Sequence, residues 1–367
     1  MTANASTSTS SSTGYTEAWL PGPDGVQFYT RTYPAASPPG PHAVILFLHG
    51  FAEHVGRYEW AHREYAARGV TVFTYDQRGF GRTALDKEHK SKGSSYGRTS
   101  WPEQLADIEW WVRKLKGEHP EVPLFLMGHS MGGGLALAFA TRTAPPPARE
   151  TLAMLSGIIS SSPLLLQTFP ASKILRFVGG KASLLVPNLL FDAPVPVEDL
   201  SHDKTANEAN ANDPLIIQKG SLRGLRDMLS GGEQLLWNDY KHWPRSLPLM
   251  IVHGTADRVT SFAAAEEFYN KVDAADKEFV PFADGFHELV HEPDGVKERF
   301  VDACVGWVLR HFADEDEGLP AVARQQGKEK TEGHEGEGEE LEREGERYQP
   351  EQARVEEVGE VQTAARL

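Results

Sequence analysis

The chain has 367 residues, 40% of them hydrophobic, and a formal net charge of −15, which is enough apolar material for one large or two ordinary globular domains. Residues 314–367 hold 17 acidic and 7 basic side chains, so most of the negative charge lies in this one segment. The composition excludes a nucleic-acid-binding protein, because no basic stripe is available to replace phosphate counterions.

The two ends of the chain carry little apolar content. Residues 1–14 are rich in Ser and Thr, and residues 314–367 mix Glu, Gly, Arg and Gln without an apolar face. Neither segment can offset its ordering entropy by burial. We therefore expect both to be disordered, on either side of a folded domain spanning 15–313.

Other features of the sequence bear on the compartment. The one cysteine, Cys304, rules out an internal disulfide framework and suits a reducing environment. No apolar run is long enough to span a bilayer, and the first residues have neither the basic nor the apolar part of a signal peptide. We expect a cytoplasmic protein, either freely soluble or peripheral on lipid droplets or intracellular membranes.

The folded domain begins with alternating strands and helices. Residues 18–20 and 26–33 flank a Pro- and Gly-rich turn and predict a hairpin. Residues 43–48 and 70–75 are apolar on nearly consecutive positions, which is typical of strands buried on both faces in a parallel sheet. A helix is predicted over 101–116. The alternation favours a doubly wound, mostly parallel α/β sheet with right-handed crossovers.

The most informative motif lies in residues 124–135, where an apolar run is followed by Gly128-His-Ser-Met-Gly132 and then by helix-forming residues. Strand, G-x-S-x-G and helix in this order predict a nucleophile elbow, with Ser130 on a strained turn. Side chains at positions 128 and 132 would collide with neighbouring backbone. The alternative is a Gly-rich turn with a passive serine, and the rest of the sequence must decide between them.

After a predicted strand at 152–160 the alternation fails. Residues 163–245 contain apolar clusters interrupted by prolines and glycines, which indicates a helical insertion. The alternation then resumes with a strand, a helix, a strand and an amphipathic helix, at residues 247–252, 261–272, 278–282 and 296–312.

Two polar residues follow the last two predicted strands. Asp257 ends the sequence His253-Gly-Thr-Ala-Asp257, and His287 ends Ala283-Asp-Gly-Phe-His287. The carboxyl ends of such strands meet at the ligand crevice, where Ser130 also lies. A serine needs a base to take its proton and an acid to orient that base. We predict His287 as the base and Asp257 as the acid, in the chain order of an α/β-hydrolase.

Other polar residues compete for these roles. We interpret His253 as a packing histidine at a strand end, Asp284 as an Asx-turn acid, and His291 as exposed or as a neighbour of the triad. Asp76 also ends a strand, but it precedes Arg78-Gly-Phe-Gly81. We interpret Asp76 as a structural residue that forms an ion pair and supports a turn.

The tetrahedral intermediate of ester cleavage needs two preorganised donors, each worth roughly 3 kcal/mol of barrier. One is predicted to be the N–H of Met131, at the start of the helix after Ser130. The other should come from the loop after strand 43–48, where Phe51 follows His49-Gly50.

Several stretches together resemble the monoacylglycerol lipases of the α/β-hydrolase superfamily. They are His49-Gly-Phe-Ala-Glu-His-Val-Gly-Arg-Tyr58, Tyr75-Asp-Gln-Arg-Gly-Phe-Gly81, Gly128-His-Ser-Met-Gly-Gly133, His253-Gly-Thr-Ala-Asp257 and Gly285-Phe-His287. The resemblance runs from about Tyr15 to Phe312. It includes the insertion, where Leu200-Ser-His-Asp203 and Asn212-Asp-Pro-Leu215 are similar to the cap of that family.

The resemblance implies an α/β-hydrolase fold with a helical cap over an acyl tunnel, and cleavage of a monoacylglycerol to fatty acid and glycerol. It also implies that Glu53 and Arg57 lie near the polar head group; the alternative for this pair is a local salt bridge. Residues 163–191 hold more apolar side chains than packing on a sheet requires. We expect some of them to line the tunnel and others to form a lipid-docking surface.

The predicted chemistry requires neither a metal nor an organic cofactor. Lysophospholipase, general carboxylesterase, acyltransferase and small-peptide hydrolase activities remain open on the same machinery. Ser130 in place of an aspartate excludes dehalogenase and epoxide hydrolase chemistry. A different class also remains open: a non-catalytic module of the same fold that binds a lipid or a protein. The sequence does not predict an oligomeric state.

Overall fold

The computed structural model describes residues 14–36, 40–170 and 172–312. The predictions for residues 1–13 and 314–367 lie outside the described residues. The strands are Thr16–Pro21 (β1), Gln27–Tyr33 (β2), Ala43–Leu48 (β3), Val70–Tyr75 (β4), Leu124–His129 (β5), Gly157–Ser161 (β6), Leu190–Asp192 (β7), Lys219–Ser221 (β8), Leu249–Gly254 (β9) and Lys277–Phe282 (β10). The helices are Glu59–Ala67 (α1), Gly81–Leu85 (α2), Trp101–Glu118 (α3), Met131–Thr141 (α4), Arg149–Leu152 (α5), Lys173–Leu185 (α6), Lys204–Ala211 (α7), Leu222–Trp237 (α8), Phe262–Lys271 (α9) and Val296–Arg310 (α10).

The large sheet has the strand order β1-β2-β4-β3-β5-β6-β9-β10. The predicted hairpin is present as the antiparallel pair β1 and β2, and β2 is also antiparallel to β4. All the other neighbours in this sheet pair in parallel. The expected mostly parallel sheet is therefore confirmed, and its parallel strands end on one common edge.

Both faces of the sheet are covered by helices. Along β3, Val44 and Leu46 pack into the core that includes side chains of α3, α4, α8 and α9. The intervening Ile45 and Phe47 pack into the core formed with α1 and α10. Fully burying one such side chain contributes about 1.5–3 kcal/mol. This alternation explains why the central strands are apolar at consecutive positions. Cys304 lies buried on α10, and burial raises the pKa of its thiol to about 12.

The strand predicted over residues 152–160 is wrong at its start. Leu152 ends the short helix α5, and the strand β6 begins only at Gly157. The carboxylate of Glu109 accepts hydrogen bonds from Ala148 N–H at 3.0 Å and from the Thr151 hydroxyl at 2.8 Å. Glu109 thereby satisfies orphan donors at the start of α5, a long-range contact that favours helix over strand.

The insertion between β6 and β9 is mainly helical, as predicted, and contains α6, α7 and α8. It also contains a small antiparallel pair that the sequence analysis did not predict, in which Phe191 of β7 lies opposite Gly220 of β8. The two strands have only three residues each, too short for period-two alternation to be recognised. We call residues 163–245 the cap.

Within the described residues, none of the helices combines the length and the apolar character needed to cross a bilayer.

Candidate active site

Ser130 lies between β5 and α4 in a left-handed backbone conformation, with φ 56° and ψ −117°. Such a conformation is strained for a residue with a side chain. A Cβ atom on Gly128 would lie 2.1 Å from the carbonyl oxygen of Gly132, and one on Gly132 would lie 2.3 Å from that of Leu48. Glycine is therefore required at both positions, because the elbow brings α4 against the ends of β3 and β5.

The three residues predicted to act together meet at the carboxyl edge of the sheet. Ser130 Oγ lies 3.0 Å from His287 Nε2, and His287 Nδ1 lies 2.8 Å from Asp257 Oδ2. Asp257 follows β9 and His287 follows β10, so two parallel neighbours position the acid and the base. All three residues are more than nine-tenths buried. The arrangement allows the Ser130 hydroxyl to donate to His287 while Nδ1–H of His287 donates to the carboxylate.

The charges of the site support this proton arrangement. Burial lowers the pKa of His287, but the Asp257 carboxylate and the hydrogen bond to it outweigh this effect and raise the pKa above its ordinary value. Burial raises the pKa of Asp257, but His287 and a hydrogen bond from His253 outweigh this and hold it far below its usual range. Asp257 is therefore an anion at neutral pH.

The turn that carries Phe51 is held by His49, which is fully buried. His49 Nε2 accepts a 2.8 Å hydrogen bond from Gln77 N–H, so the ring proton lies on Nδ1, which donates to the Gly50 carbonyl at 2.8 Å. Burial lowers the pKa of His49 to about 3. Because C=O and N–H point in opposite directions in a trans peptide, this contact fixes the direction of the Phe51 N–H.

Phe51 and Met131 stay predictions as oxyanion donors, and their positions fit that role. Met131 is the first residue of α4, where the N–H has no intrahelical acceptor. Phe51 and Ser130 line the same small cavity.

Glu53 and Arg57 belong to a buried ion-pair network. The Arg57 guanidinium binds Glu288 in a bidentate manner at 2.6 and 2.7 Å and lies 3.3 Å from Glu53 Oε1. The other oxygen of Glu53 accepts a hydrogen bond from Tyr58. Burial raises the pKa of Glu288, but Arg57 and His291 outweigh this and hold it well below the usual range. The local salt bridge left open by the sequence is thus present, with Glu288 as a partner that no motif indicated.

The two predicted head-group residues differ in their access to the site. Glu53 lines the cavity that contains Ser130 and His287. Arg57 is not among the lining residues, and its side chain is only 7% exposed. We retain a direct substrate contact as a prediction for Glu53, whereas Arg57 would act through Glu53 and Glu288.

The ion pair expected for Asp76 is not present among the described residues. Asp76 instead accepts hydrogen bonds from Val55 N–H at 2.8 Å and Arg82 N–H at 2.6 Å. Arg78, the expected partner, binds Asp107 at 2.6 and 3.0 Å. Asp76 therefore supports a turn, as predicted, but it does so by accepting hydrogen bonds from backbone N–H groups. Its bond to Val55 also holds the loop that carries Glu53.

Two cavities meet at the site. The smaller, about 30 Å³, is lined by Ser130, His287, Glu53 and the cap residue Asn210. Asn210 is buried, with an exposed fraction of 5%. Its Oδ1 has no hydrogen-bond partner within the described part of the chain. The larger cavity, about 580 Å³, lies under the cap and is lined mainly by apolar side chains, among them Phe177, Leu225, Met228 and Leu229. Phe51 and Val195 line both cavities.

One set of side chains in the described ranges brings potential metal ligands together. The ligand atoms of Glu53, His129 and Glu288 lie within 4.8 Å of one another. Both carboxylates already bind the Arg57 guanidinium, which supplies the compensating positive charge. We therefore assign this set to the ion-pair network and not to a metal centre.

The chain is similar to several known proteins. Residues 39–294 match the model of a family described as Serine aminopeptidase, S33. The chain is 34% identical over 275 residues to a putative monoglyceride lipase of Schizosaccharomyces pombe, an alignment covering 74% of this chain and 68% of that protein. It is 26% identical over 254 residues to phospholipase YtpA of Bacillus subtilis, covering 69% of this chain and 91% of that one.

A solved structure is similar over most of the fold. A soluble variant of monoglyceride lipase from Saccharomyces cerevisiae, in complex with a substrate analog, superposes with a TM-score of 0.70 at 25% identity. The match covers 79% of this chain and 94% of that chain. The family match at 39–294 includes Ser130, Asp257 and His287.

Proposed function

The chain belongs to the serine aminopeptidase S33 family and is an α/β-hydrolase that cleaves carboxylic esters, and we propose that its substrates are monoacylglycerols, which it converts to fatty acid and glycerol. The observation that carries the proposal is the position of the Ser130–His287–Asp257 chain. It lies beside a small cavity lined by both polar and apolar side chains, while a larger, mainly apolar cavity extends under the cap. An ester with a polar alcohol and a long apolar acyl chain fits this division.

The first half of the proposed reaction is acylation. Ser130 Oγ attacks the ester carbonyl while its proton passes to His287 Nε2, which lies 3.0 Å away. The oxyanion that forms is stabilised by the N–H groups of Phe51 and Met131. His287 then gives the proton to the glycerol oxygen as the carbon–oxygen bond breaks, and the acyl group remains on Ser130.

The second half is deacylation. Water takes the place of glycerol, His287 removes its proton, and the hydroxide adds to the acyl carbonyl. Collapse of the second intermediate breaks the bond to Ser130, whose oxygen recovers a proton from His287, and the fatty acid leaves. Asp257 keeps the imidazole in the tautomer that both halves require.

The cavities support the amphiphilic substrate. A cavity of about 580 Å³ lies within the range of roughly 300–1,000 Å³ that is usual for small-molecule sites, and such sites are mostly apolar. The polar side chains that line the small cavity with Ser130 include the Glu53 carboxylate and Asn210, whose Oδ1 has no hydrogen-bond partner among the described residues. Both accept hydrogen bonds, and a glycerol leaving group has free hydroxyls to donate.

One experiment tests the proposal against its rivals. One portion of the purified protein is treated with a fluorophosphonate probe, which labels only an activated serine, and labelling of Ser130 is expected. With a second, unlabelled portion, a monoacylglycerol, a lysophospholipid with the same acyl chain, a short-chain ester and a peptide amide compete in one reaction. Preferential loss of the monoacylglycerol supports the proposal, and absence of labelling would assign the protein to the non-catalytic class.

Lysophospholipid hydrolysis is a second candidate because phospholipase YtpA is among the relatives. A phosphate head group would require a free cation near Ser130. No Lys or Arg is among the described residues that line the small cavity, and Arg57, which binds two lining carboxylates, is already paired with Glu53 and Glu288. This pairing favours an uncharged alcohol over a phosphodiester.

Asn210→Leu should lower the preference for monoacylglycerol over the ethyl ester of the same fatty acid. The variant removes an acceptor for glycerol hydroxyls and places an apolar group in its position. Loss of one neutral hydrogen bond corresponds to a fall of about 2- to 10-fold in the ratio of the two kcat/KM values. The ratio is measured with both esters in one reaction.

The control for this prediction is Asn212→Leu, the same exchange at an exposed residue two positions away. Asn212 binds the Glu208 carbonyl and lies outside the small cavity. A ratio changed equally by both variants would show that Asn210 acts through the cap structure, and an unchanged ratio would remove Asn210 from alcohol recognition.

The outer surface of the cap supports a further part of the proposal, that the protein works at a lipid surface. Leu184 is 67% exposed and Leu185 is 85% exposed, beside exposed Phe177 and Val178 on the same helix. Leu164 and Leu165, counted among the apolar residues expected in the cap, are instead buried in the core. Exposed apolar side chains grouped near an active site are typical of lipid-docking surfaces. We propose that the protein is cytoplasmic and peripheral on lipid droplets or intracellular membranes.

Replacing Leu184 and Leu185 together by Ser should weaken binding to phosphatidylcholine vesicles and slow hydrolysis of long-chain monoacylglycerol presented in them. Each leucine that enters the interface contributes up to about 1.5–3 kcal/mol, so the double variant should bind at least 10-fold more weakly. Hydrolysis of a water-soluble ester should persist, since neither leucine lines the cavity under the cap. Vesicle co-sedimentation and the two activities provide the measurement.

Trp110→Ser serves as the control, because Trp110 is 43% exposed and lies on α3, outside the cap. Equal losses on both substrates in the Leu184/Leu185 variant would assign these leucines to folding. The same loss of vesicle binding in Trp110→Ser would show that exposed apolar area in general, and not the cap, drives the binding.

A further inference from the structure

The Asp257 carboxylate is surrounded by more donors than a serine–histidine–aspartate triad needs. Its Oδ1 accepts the N–H groups of Val259 at 2.7 Å and Thr260 at 2.9 Å. Its Oδ2 accepts His287 Nδ1–H at 2.8 Å and also lies 3.0 Å from Nε2 of a second histidine, His253. The Thr260 hydroxyl lies 2.8 Å from the same oxygen. Two imidazoles therefore compete for one carboxylate oxygen.

The protonation of His253 at this contact follows from its surroundings. Its Nε2 is close to two acceptors, Asp257 Oδ2 and the Thr260 carbonyl at 3.2 Å, so Nε2 must carry a proton. Its Nδ1 is buried and has no hydrogen-bond partner within the described residues. The ring is fully buried, held on the edge of β9 with Phe262 packed against it at 5.6 Å. His253 lines neither of the two cavities described above, so we expect it to act through Asp257.

We propose that His253 is a positioning residue for the triad. Its Nε2–H shares Asp257 Oδ2 with His287, and thereby sets both the direction of the carboxylate and the strength with which the carboxylate binds the protonated form of His287. The inference rests on the proposed function in taking Ser130, His287 and Asp257 as the catalytic groups. It does not depend on which ester is the substrate.

The hydrogen bond from His253 to Asp257 should affect the pKa of His287, the general base. A carboxylate oxygen that already accepts one N–H offers less electron density to the next donor, so His253 weakens the preference of Asp257 for the imidazolium of His287. Without His253, the pKa of His287 should rise. Because the neutral imidazole is the general base, the acid limb of the pH–rate profile should then move to higher pH.

Other groups also face His287 and enter the same balance. They are the Glu288 and Glu53 carboxylates, both of which raise its pKa, and the His129 ring, with its centroid 4.7 Å from that of His287. None of these contacts Asp257 Oδ2, so they should be unchanged when His253 is replaced. The Thr260 hydroxyl lies 3.3 Å from His287 Nδ1 and 2.8 Å from Asp257 Oδ2, so it belongs with the donors on the shared oxygen. A shift of the profile then reports the donors on that oxygen.

The test compares His253→Leu with His253→Gln on a water-soluble p-nitrophenyl ester from pH 5 to 9. Leucine removes the donor, whereas glutamine keeps an amide N–H at a similar distance from the backbone. For His253→Leu we expect kcat to fall roughly 10-fold with little change in KM, because a misdirected carboxylate disturbs the base and not the binding. Its acid limb should rise by roughly 0.5 to 1 pH unit. His253→Gln should recover the wild-type profile and most of kcat.

The outcomes separate a positioning role from a packing role. Equal losses in the two variants, or a lower kcat with an unmoved acid limb, would overturn the proposal. If His253→Leu does not fold, the ¹⁵N spectrum of the wild-type histidines decides. We expect Nε2 of His253 to carry a proton that is hydrogen-bonded to Asp257. An unprotonated Nε2 would refute the proposal. Failure of the proposed function is recognised separately, since the wild-type protein would then neither bind the fluorophosphonate nor hydrolyse the ester.

Discussion

Ser130→Ala is expected to lower ester hydrolysis by about 10⁶-fold, because a nucleophile that forms a covalent intermediate cannot be replaced by its neighbours. Alanine keeps the Cβ atom and removes only the oxygen that His287 contacts at 3.0 Å. The strained backbone at φ 56° is imposed by the surrounding elbow and tolerates either residue. The fold should therefore survive, and a residual rate of roughly 10³-fold over water should remain from the oxyanion donors and substrate binding.

The measurement is hydrolysis of a soluble ester together with fluorophosphonate labelling and thermal unfolding. The control is Ser156→Ala, which makes the same exchange between α5 and β6, away from the site. It should retain activity and labelling. Substantial activity in a folded Ser130→Ala protein would refute the covalent mechanism.

The second large effect is expected for Asp257→Asn, at about 10⁴-fold in kcat. The described neighbours of this carboxylate are donors: the N–H groups of Val259 and Thr260 on one oxygen, and two imidazoles and the Thr260 hydroxyl on the other. An asparagine has one oxygen and one NH₂ group. If the NH₂ group faces His287, it favours the tautomer with the proton on Nε2, which cannot accept from Ser130. If the NH₂ group faces the loop instead, it lies against the N–H donors of Val259 and Thr260, and the turn is disturbed.

The pH dependence of this variant provides a further check. His287 loses the anion that raises its pKa, while burial still lowers it. The acid limb of the residual activity should accordingly move to lower pH. Asp284→Asn is the matched control, because Asp284 is the other acid near His287 in the sequence and its side chain is exposed. A loss below tenfold in Asp257→Asn, or a comparable loss in Asp284→Asn, would give the orienting role to another acid.

The sequence predicted those parts of the molecule that depend on neighbouring residues. The consecutive apolar residues of β3 and β4 predicted strands buried on both faces, because alternate side chains point to opposite sides of a strand. The glycines at 128 and 132 predicted close backbone contacts at Ser130. The chain order of Ser130, Asp257 and His287, each after a predicted strand, indicated one edge of one sheet. The fold and the family resemblance inferred from these patterns are confirmed.

The sequence could not predict pairings that join distant segments. Glu288 binds Arg57 across 231 positions, and Glu109 holds the start of α5, and neither contact leaves a periodic signal. The β7–β8 pair also leaves no periodic signal in the sequence, because its strands have three residues each. The variants above test the predicted roles of Ser130 and Asp257, and their pH profiles test that of His287, whereas the oxyanion roles of Phe51 and Met131 remain predictions.

His253 and the cap show which properties the sequence determines and which only the tertiary structure decides. The sequence by itself determined that a histidine ends β9 and that residues 163–191 are unusually apolar, since both facts are local. Only the tertiary structure decided that His253 shares an oxygen of Asp257 with His287, that Leu164 and Leu165 are buried, and that Leu184 and Leu185 face outward. The physical reason is that hydrogen bonds and burial depend on which atoms meet in space, and for these residues the partners are supplied by the packing of loops and helices against the sheet.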